Sequence, residues 1–274
     1  RDLAERVYLG IVPLVEGRKG LSLGGEGEGR IVDWLVQMRR LPASRMLDAM
    51  IAAGTGPSAG QVRALADCLV RFYRRQALTP PPGGLYLAHL QREQAINVAH
   101  LGELGGLLPD PASVAVAEEV AARLPAAAAE ISLRERVGAV VEGHGDLRPE
   151  HLCLTDPPVV FDRVESALEL RVADVFDETM YLAAECALLG RPGIGGVLAG
   201  ALCAAGFAAP SPGLMRSYLL FRLVTRARLL LDHLRYPEPR SPGTWPPRAQ
   251  AYLDAAALLL REGGRVADDG ARPC

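Results

Sequence analysis

The chain has 274 residues, 49% of them hydrophobic, enough to bury a sizeable core. Lys+Arg 30 against Asp+Glu 32 leaves a near-neutral balance, which argues against nucleic acid or an anionic membrane as partner. The five cysteines form no C-x-x-C pair and no signal peptide precedes the first charged segment, so the chain reads as a cytoplasmic protein with reduced thiols. Pro192 to Met215, the longest uncharged stretch, is too rich in Gly and Ala for a membrane span and predicts a buried helix.

In chain order, R-D-L-A-E-R reads as the last turns of a helix, followed by apolar strands at Val7–Val15 and Ile31–Met38. The glycine-dense loop between them reads as a wide hairpin turn. A phosphate clamp is disfavoured, because Glu26 and Glu28 would face a polyphosphate and no full G-x-G-x-x-G is present. Lys19, the sole lysine, lies in that loop. From Ser44 the periodicity is helical: Ser44–Ala53, then a helix opening at Pro57-Ser58 and ending in the basic Arg71, Arg74, Arg75 turn. Residues 78–84 are a linker. Tyr86–Leu104 and Ala112–Val137 follow as helices, the second nicked by Pro125, with His89 and His100 as ordinary histidines. Later, Asp174 is placed as an N-cap with Asp177 and Glu178 in the first turn, before Met180–Leu189. Gly195–Phe207, Leu214–Leu234 and Arg248–Leu260 are the remaining helices. Arg216, Arg222, Arg226 and Arg228 are read as facing water, and 262–274 as a disordered tail.

The stretch richest in chemistry is Gly143–Ser166, G-H-G-D-L-R-P-E-H-L-C-L-T-D-P-P-V-V-F-D-R-V-E-S. The apolar runs His151–Leu154 and Val159–Phe161 are strand-length, and T-D-P-P between them is turn chemistry. A hairpin brings Asp162 back toward the loop that carries Asp146. Two carboxylates and a cation then converge on one cleft, as phosphoryl transfer to a hydroxyl requires. The string also admits a plain reading as a surface hairpin with solvated charges.

H-G-D-L-R-P-E-H resembles the catalytic loop of the aminoglycoside phosphotransferase and choline kinase branch of the protein-kinase-like fold. F-D-R-V-E and the later R-V-A-D-V-F-D-E-T-M-Y-L-A resemble bacterial aminoglycoside phosphotransferase-like proteins, some of them fused to a P-loop ATPase. The resemblance implies Asp146 as catalytic base and Arg148 beside the γ-phosphate. It implies Asp162 as a metal ligand, His151 at the position of the second metal ligand, and His144 as a structural brace. An acid near the following helix, Asp174, would hold the loop by hydrogen bonds to its backbone. His151 stands where the family has asparagine, and imidazole suits manganese or zinc better than magnesium.

The resemblance further implies an α+β kinase-like fold with a partial small β lobe at 1–42, a helical large lobe at 43–262 and a tail at 263–274. V-Y-L-G-I-V-P-L and V-D-W-L-V-Q-M-R-R-L-P match its fourth and fifth small-lobe strands, which puts the first three strands and the glutamate helix before Arg1. Met38, Arg39 and Leu41 then belong to the adenine-contacting hinge, although Arg39 and Arg40 read equally well as surface charges. The function so implied is transfer of the γ-phosphoryl group of ATP or GTP, with Mg²⁺ or Mn²⁺, to a hydroxyl of a small molecule. The missing phosphate-binding lysine leaves open a pseudokinase-like binding module. A metal-dependent hydrolase using His144, Asp146, His151 and Asp162 is a further alternative.

Overall fold

The computed structural model describes residues 3–4, 7–18, 20–24, 29–78 and 83–263. Lys19, Glu26, Glu28 and the tail from residue 264 lie outside the described residues, as does most of the helix expected at 1–6. The fold is α+β. Strands β1 (Tyr8–Gly17), β2 (Gly20–Leu23) and β3 (Arg30–Met38) form an antiparallel sheet in the order β2-β1-β3, with Pro13 opposite Trp34 and Tyr8 opposite Met38. The loop expected between two strands therefore contributes a short third one. The sheet carries little of the core: Val15 is buried, while Ile11, Trp34 and Val36 are exposed.

The core belongs to the helices. Helix α1 (Leu47–Ala52) precedes α2 (Ala59–Arg75), which opens on a reciprocal capping box between Ser58 and Gln61 and buries Val62, Leu65, Leu69 and Phe72 on one stripe. Each such side chain contributes about 1.5–3 kcal/mol on burial. Helix α3 (Leu85–Leu104) runs on to the expected long helix, which is in fact two, α4 (Ala115–Ala121) and α5 (Leu124–Arg136). Pro125 sits in the first turn of α5, where its missing N–H breaks no internal bond, so the break falls ahead of it.

Two short strand pairings then frame and carry Gly143–Ser166. β4 (Val140–Glu142) pairs antiparallel with β7 (Val172–Asp174), and β5 (Leu152–Cys153) with β6 (Val159–Val160) in the hairpin the turn chemistry predicts. Helix α6 (Val175–Leu188) follows, capped by Asp174, which accepts from the Phe176 amide. Helices α7 (Gly193–Ala204), α8 (Pro212–Asp232) and α9 (Trp245–Gly263) complete the described fold, so residues 262 and 263 are helical rather than tail. No described helix is long and apolar enough to cross a membrane.

Two apolar clusters fill the helical part. One joins α3, α4 and α5 to α8 and α9; the other joins α1, α2 and the hairpin to α6 and α7. Helix α6 lies between them, with every residue from Val175 to Cys186 buried. Its acids Asp177, Glu178 and Glu185 are therefore buried too, and each needs a partner to offset the cost of leaving water. Those partners build the site.

Candidate active site at the hairpin loop

The loop after β4 is held from below by Glu178. Its Oε1 accepts from the backbone amides of His144 at 2.7 Å and Gly145 at 2.6 Å, and its Oε2 accepts from the Tyr73 hydroxyl at 2.8 Å. The two glycines of G-H-G make this approach possible. A Cβ on Gly143 would stand 2.7 Å from the Glu178 carboxylate, and Gly145 adopts φ +89 with Leu170 O 2.8 Å from where its Cβ would be. Asp174, expected from the resemblance to hold the loop, is engaged elsewhere: it pairs with Arg134, caps α6 and accepts from the Tyr218 hydroxyl. The bracing acid is one helical turn further on because β7 ends at Asp174, and it is the turn containing Glu178 that lies under the loop.

His144 is tied into the loop through both ring nitrogens. It is fully buried; Nε2 donates to the Phe161 carbonyl at 2.8 Å and Nδ1 accepts from the Asp146 amide at 3.3 Å. Both ring nitrogens are thus committed, which fixes the neutral tautomer and leaves no atom to ligate a metal. Burial pushes its pKa below the ordinary 6.5, against an opposing pull from Glu178. The folded chain therefore takes up this proton less readily than the unfolded chain. The stability contributed by neutral His144 is complete above 6.5 and is lost as pH falls from there through the lower folded value. We expect wild type to lose more melting temperature between about pH 7.5 and about pH 5.5 than His144→Asn, which cannot titrate there. Parallel melting curves for the two proteins across that range would contradict this.

The hairpin brings the predicted site residues together. His151 Nδ1 lies 2.8 Å from the Asp146 carbonyl, an acceptor only, so Nδ1 carries a proton and Nε2 faces outward. That Nε2 is 3.3 Å from Asp162 Oδ2 and 3.5 Å from Arg148 Nη2. Arg148 Nη1 binds Glu150 at 2.7 Å, while its Nε lies 3.0 Å from Asp146 Oδ1 without the alignment of a hydrogen bond and is otherwise unpartnered. Asp162 sits at φ 61, a left-handed conformation that aspartate tolerates better than most residues, and its amide donates to the Tyr8 hydroxyl of β1. Met38 pairs with Tyr8 at the end of β3, and the Arg39 amide donates to the Val7 carbonyl. Arg39 and Leu41 border a cavity of about 480 Å³ together with Pro158 and Val159 of the hairpin.

The resemblance's metal can be judged against these atoms. Among the described residues no three His, Cys, Asp or Glu side chains group closely enough to cage an ion. His151 Nε2 and Asp162 Oδ2 do face each other at 3.3 Å, close enough to border one ion. So sparse a protein set would leave most positions of an ion to other ligands, and its imidazole suits manganese better than magnesium.

Several participants were not foreseen. The Tyr181 hydroxyl donates to Asp146 Oδ1 at 3.2 Å. The arginines of α8 do not all face water: Arg222, Arg226 and Arg228 line a cleft of about 450 Å³ with Asp146 and Tyr181. Arg222 grips Asp177 through two bonds of 2.6 and 2.8 Å and lies over the Tyr181 ring, and Arg226 binds Glu185 at 3.1 Å. The signal was present as two matched stripes, 177, 181 and 185 on α6 and 222 and 226 on α8, each at four-residue spacing.

No family model and no solved structure matches the chain. The curated proteins it resembles include one from Mycobacterium bovis and two from strains of Mycobacterium tuberculosis, each described as an uncharacterized protein. Each is 30% identical over 247 residues, covering 83% of this chain. The chain spans 44% of the length of these relatives.

Proposed function

We propose that the protein is a phosphotransferase of the aminoglycoside phosphotransferase-like kind, moving the γ-phosphoryl group of a nucleoside triphosphate to a hydroxyl of a small molecule. One observation carries the reading: Asp146, Arg148, His151 and Asp162, two of them sixteen residues apart in sequence, meet around a single imidazole. In this reading Asp146 orients the acceptor hydroxyl and takes its proton, and Tyr181 keeps the receiving carboxylate in place. Arg148, whose Nε lies 3.0 Å from Asp146 Oδ1, offsets charge on the group in transit. A divalent ion bound by Asp162 and His151 would neutralise nucleotide phosphate charge. Residues Met38, Arg39 and Leu41 are the proposed hinge. The hydrolase alternative loses support, since both nitrogens of His144 are occupied within the loop.

The metal supplies a direct test in the intact protein. Phosphoryl transfer from labelled ATP should run better with manganese than with magnesium, and His151→Asn should lower that ratio several-fold, since the amide oxygen offers magnesium the harder ligand. An unchanged ratio in the variant would remove His151 from the metal site. No transfer to any hydroxyl with either ion would remove the proposed activity.

A further inference from the structure

The cleft in front of Asp146 has a charge pattern that speaks to the acceptor. Its wall carries Arg222 and Arg226, the latter over nine-tenths buried, together with Arg228, Glu93 and two histidines, His89 and His233. Every carboxylate that borders or backs this wall is already held by an arginine: Asp177 by Arg222, Glu185 by Arg226 and Glu93 by Arg228 at 2.6 Å. Asp146 itself has Arg148 alongside. A polycationic acceptor entering here would find no free acid and would meet guanidinium groups it could only repel.

The arginines, by contrast, keep donors in reserve. Arg228 spends Nε, Nη1 and Nη2 on Asn97, Asp232 and Glu93 and serves as scaffold. Arg222 commits Nε and Nη2 to Asp177, leaving Nη1 without a bond among the described residues, and Arg226 commits Nε to Glu185 with the Tyr252 hydroxyl as a second neighbour of its guanidinium. Their stacking on Tyr181 and Tyr252 fixes the guanidinium planes in advance, so little side-chain freedom remains to be lost when an anion binds. Thr225, between them on the same helix, lines the cleft as a neutral hydroxyl.

We propose that this cleft takes a small hydroxyl-bearing anion, a carboxylate or a phosphate ester, whose charged group is received by Arg222 and Arg226 while its hydroxyl is presented to Asp146. The inference rests on the phosphotransferase reading for its chemistry but on the arginine wall for its ligand. It departs from the cationic substrates after which the resembling family is named.

A matched set of sugars separates the possibilities: gluconate, glucose 6-phosphate, neutral glucose and cationic glucosamine share one polyol skeleton. Ligand-observed NMR on the 274-residue chain, without nucleotide, should show gluconate or glucose 6-phosphate binding at least about tenfold tighter than glucosamine, the worth of one charge-assisted hydrogen bond. The tighter of the two names the anion. Arg226→Met should abolish that preference. Because it strands the Glu185 carboxylate, the double variant Glu185→Gln/Arg226→Met is measured beside it; it removes both charges and keeps an acceptor for the Tyr252 hydroxyl. Glucosamine binding as tightly as the anions, no binding of either anion, or a preference that survives in a folded double variant would each overturn the proposal. Anion binding without transfer to any acceptor would retain the cleft's ligand and discard the phosphotransferase. Transfer to glucosamine in preference to gluconate would do the reverse.

Discussion

Asp146→Asn in the intact protein is expected to cut phosphoryl transfer by about 10²–10⁴-fold, the usual effect of losing a general base. The asparagine oxygen can still accept from Tyr181, so the geometry of the loop persists while basicity and charge are lost. Nucleotide affinity should be largely kept. Asp162→Asn should fail differently, weakening metal-nucleotide binding as well as turnover, because its carboxylate faces His151 rather than the acceptor cleft. Neither change should cost much stability: the side chains are 31% and 72% exposed, and asparagine keeps an oxygen for their buried neighbours Tyr181 and His151. A turnover assay, a nucleotide titration and a thermal melt on the two variants separate these roles. An Asp146→Asn protein that turns over at the wild-type rate would end the phosphotransferase reading.

What could be read in the sequence is what local chemistry decides. The T-D-P-P turn and its flanking apolar runs specify the hairpin, and so the return of Asp162 toward Asp146. The capping box at Ser58 and the apolar stripe behind it specify α2. β4 and β7 are three residues each and have no alternation long enough to register; only their pairing with each other makes them strands. In the Ala112–Val137 stretch Pro125 marks the nick, but that the break falls at the two residues ahead of it, with Pro125 opening the next helix, shows only in three dimensions. For the acids of α6, pattern and packing disagree. Asp177 and Glu178 sit where helix-dipole capping explains them fully, and the arginines of α8 look like a solvated face. Their true environment follows from α6 running between two apolar clusters, which buries the acids and draws the arginines of α8 in to meet them. Long-range pairing of buried charges cannot be inferred from either helix alone. The matched four-residue stripes on both helices were the available clue.

The brace found this way should be the most costly side chain to remove. Glu178 is 2% exposed and is the shared acceptor for two backbone amides of the loop and the Tyr73 hydroxyl. Glu178→Ala strands all three donors in a space that excludes them from water; at about 1–3 kcal/mol for each unsatisfied group the total is on the order of 3 kcal/mol or more. For a domain of this size that corresponds to a fall in melting temperature of about 6–12 °C. Phosphoryl transfer should be lost with it, since the same amides set the height of Asp146 in the cleft. Glu178→Gln separates geometry from charge. Its amide oxygen can still receive the His144 and Gly145 amides, and its NH₂ can donate to the Tyr73 oxygen once that hydroxyl turns. The glutamine protein should therefore melt close to wild type while losing the strength that ionisation adds to the two backbone bonds. Differential scanning calorimetry on both variants reads this directly. If alanine melts within about one degree of wild type, the loop is held by something other than Glu178. If glutamine falls as far as alanine, the carboxylate charge rather than the pattern of donors and acceptors is what the loop requires.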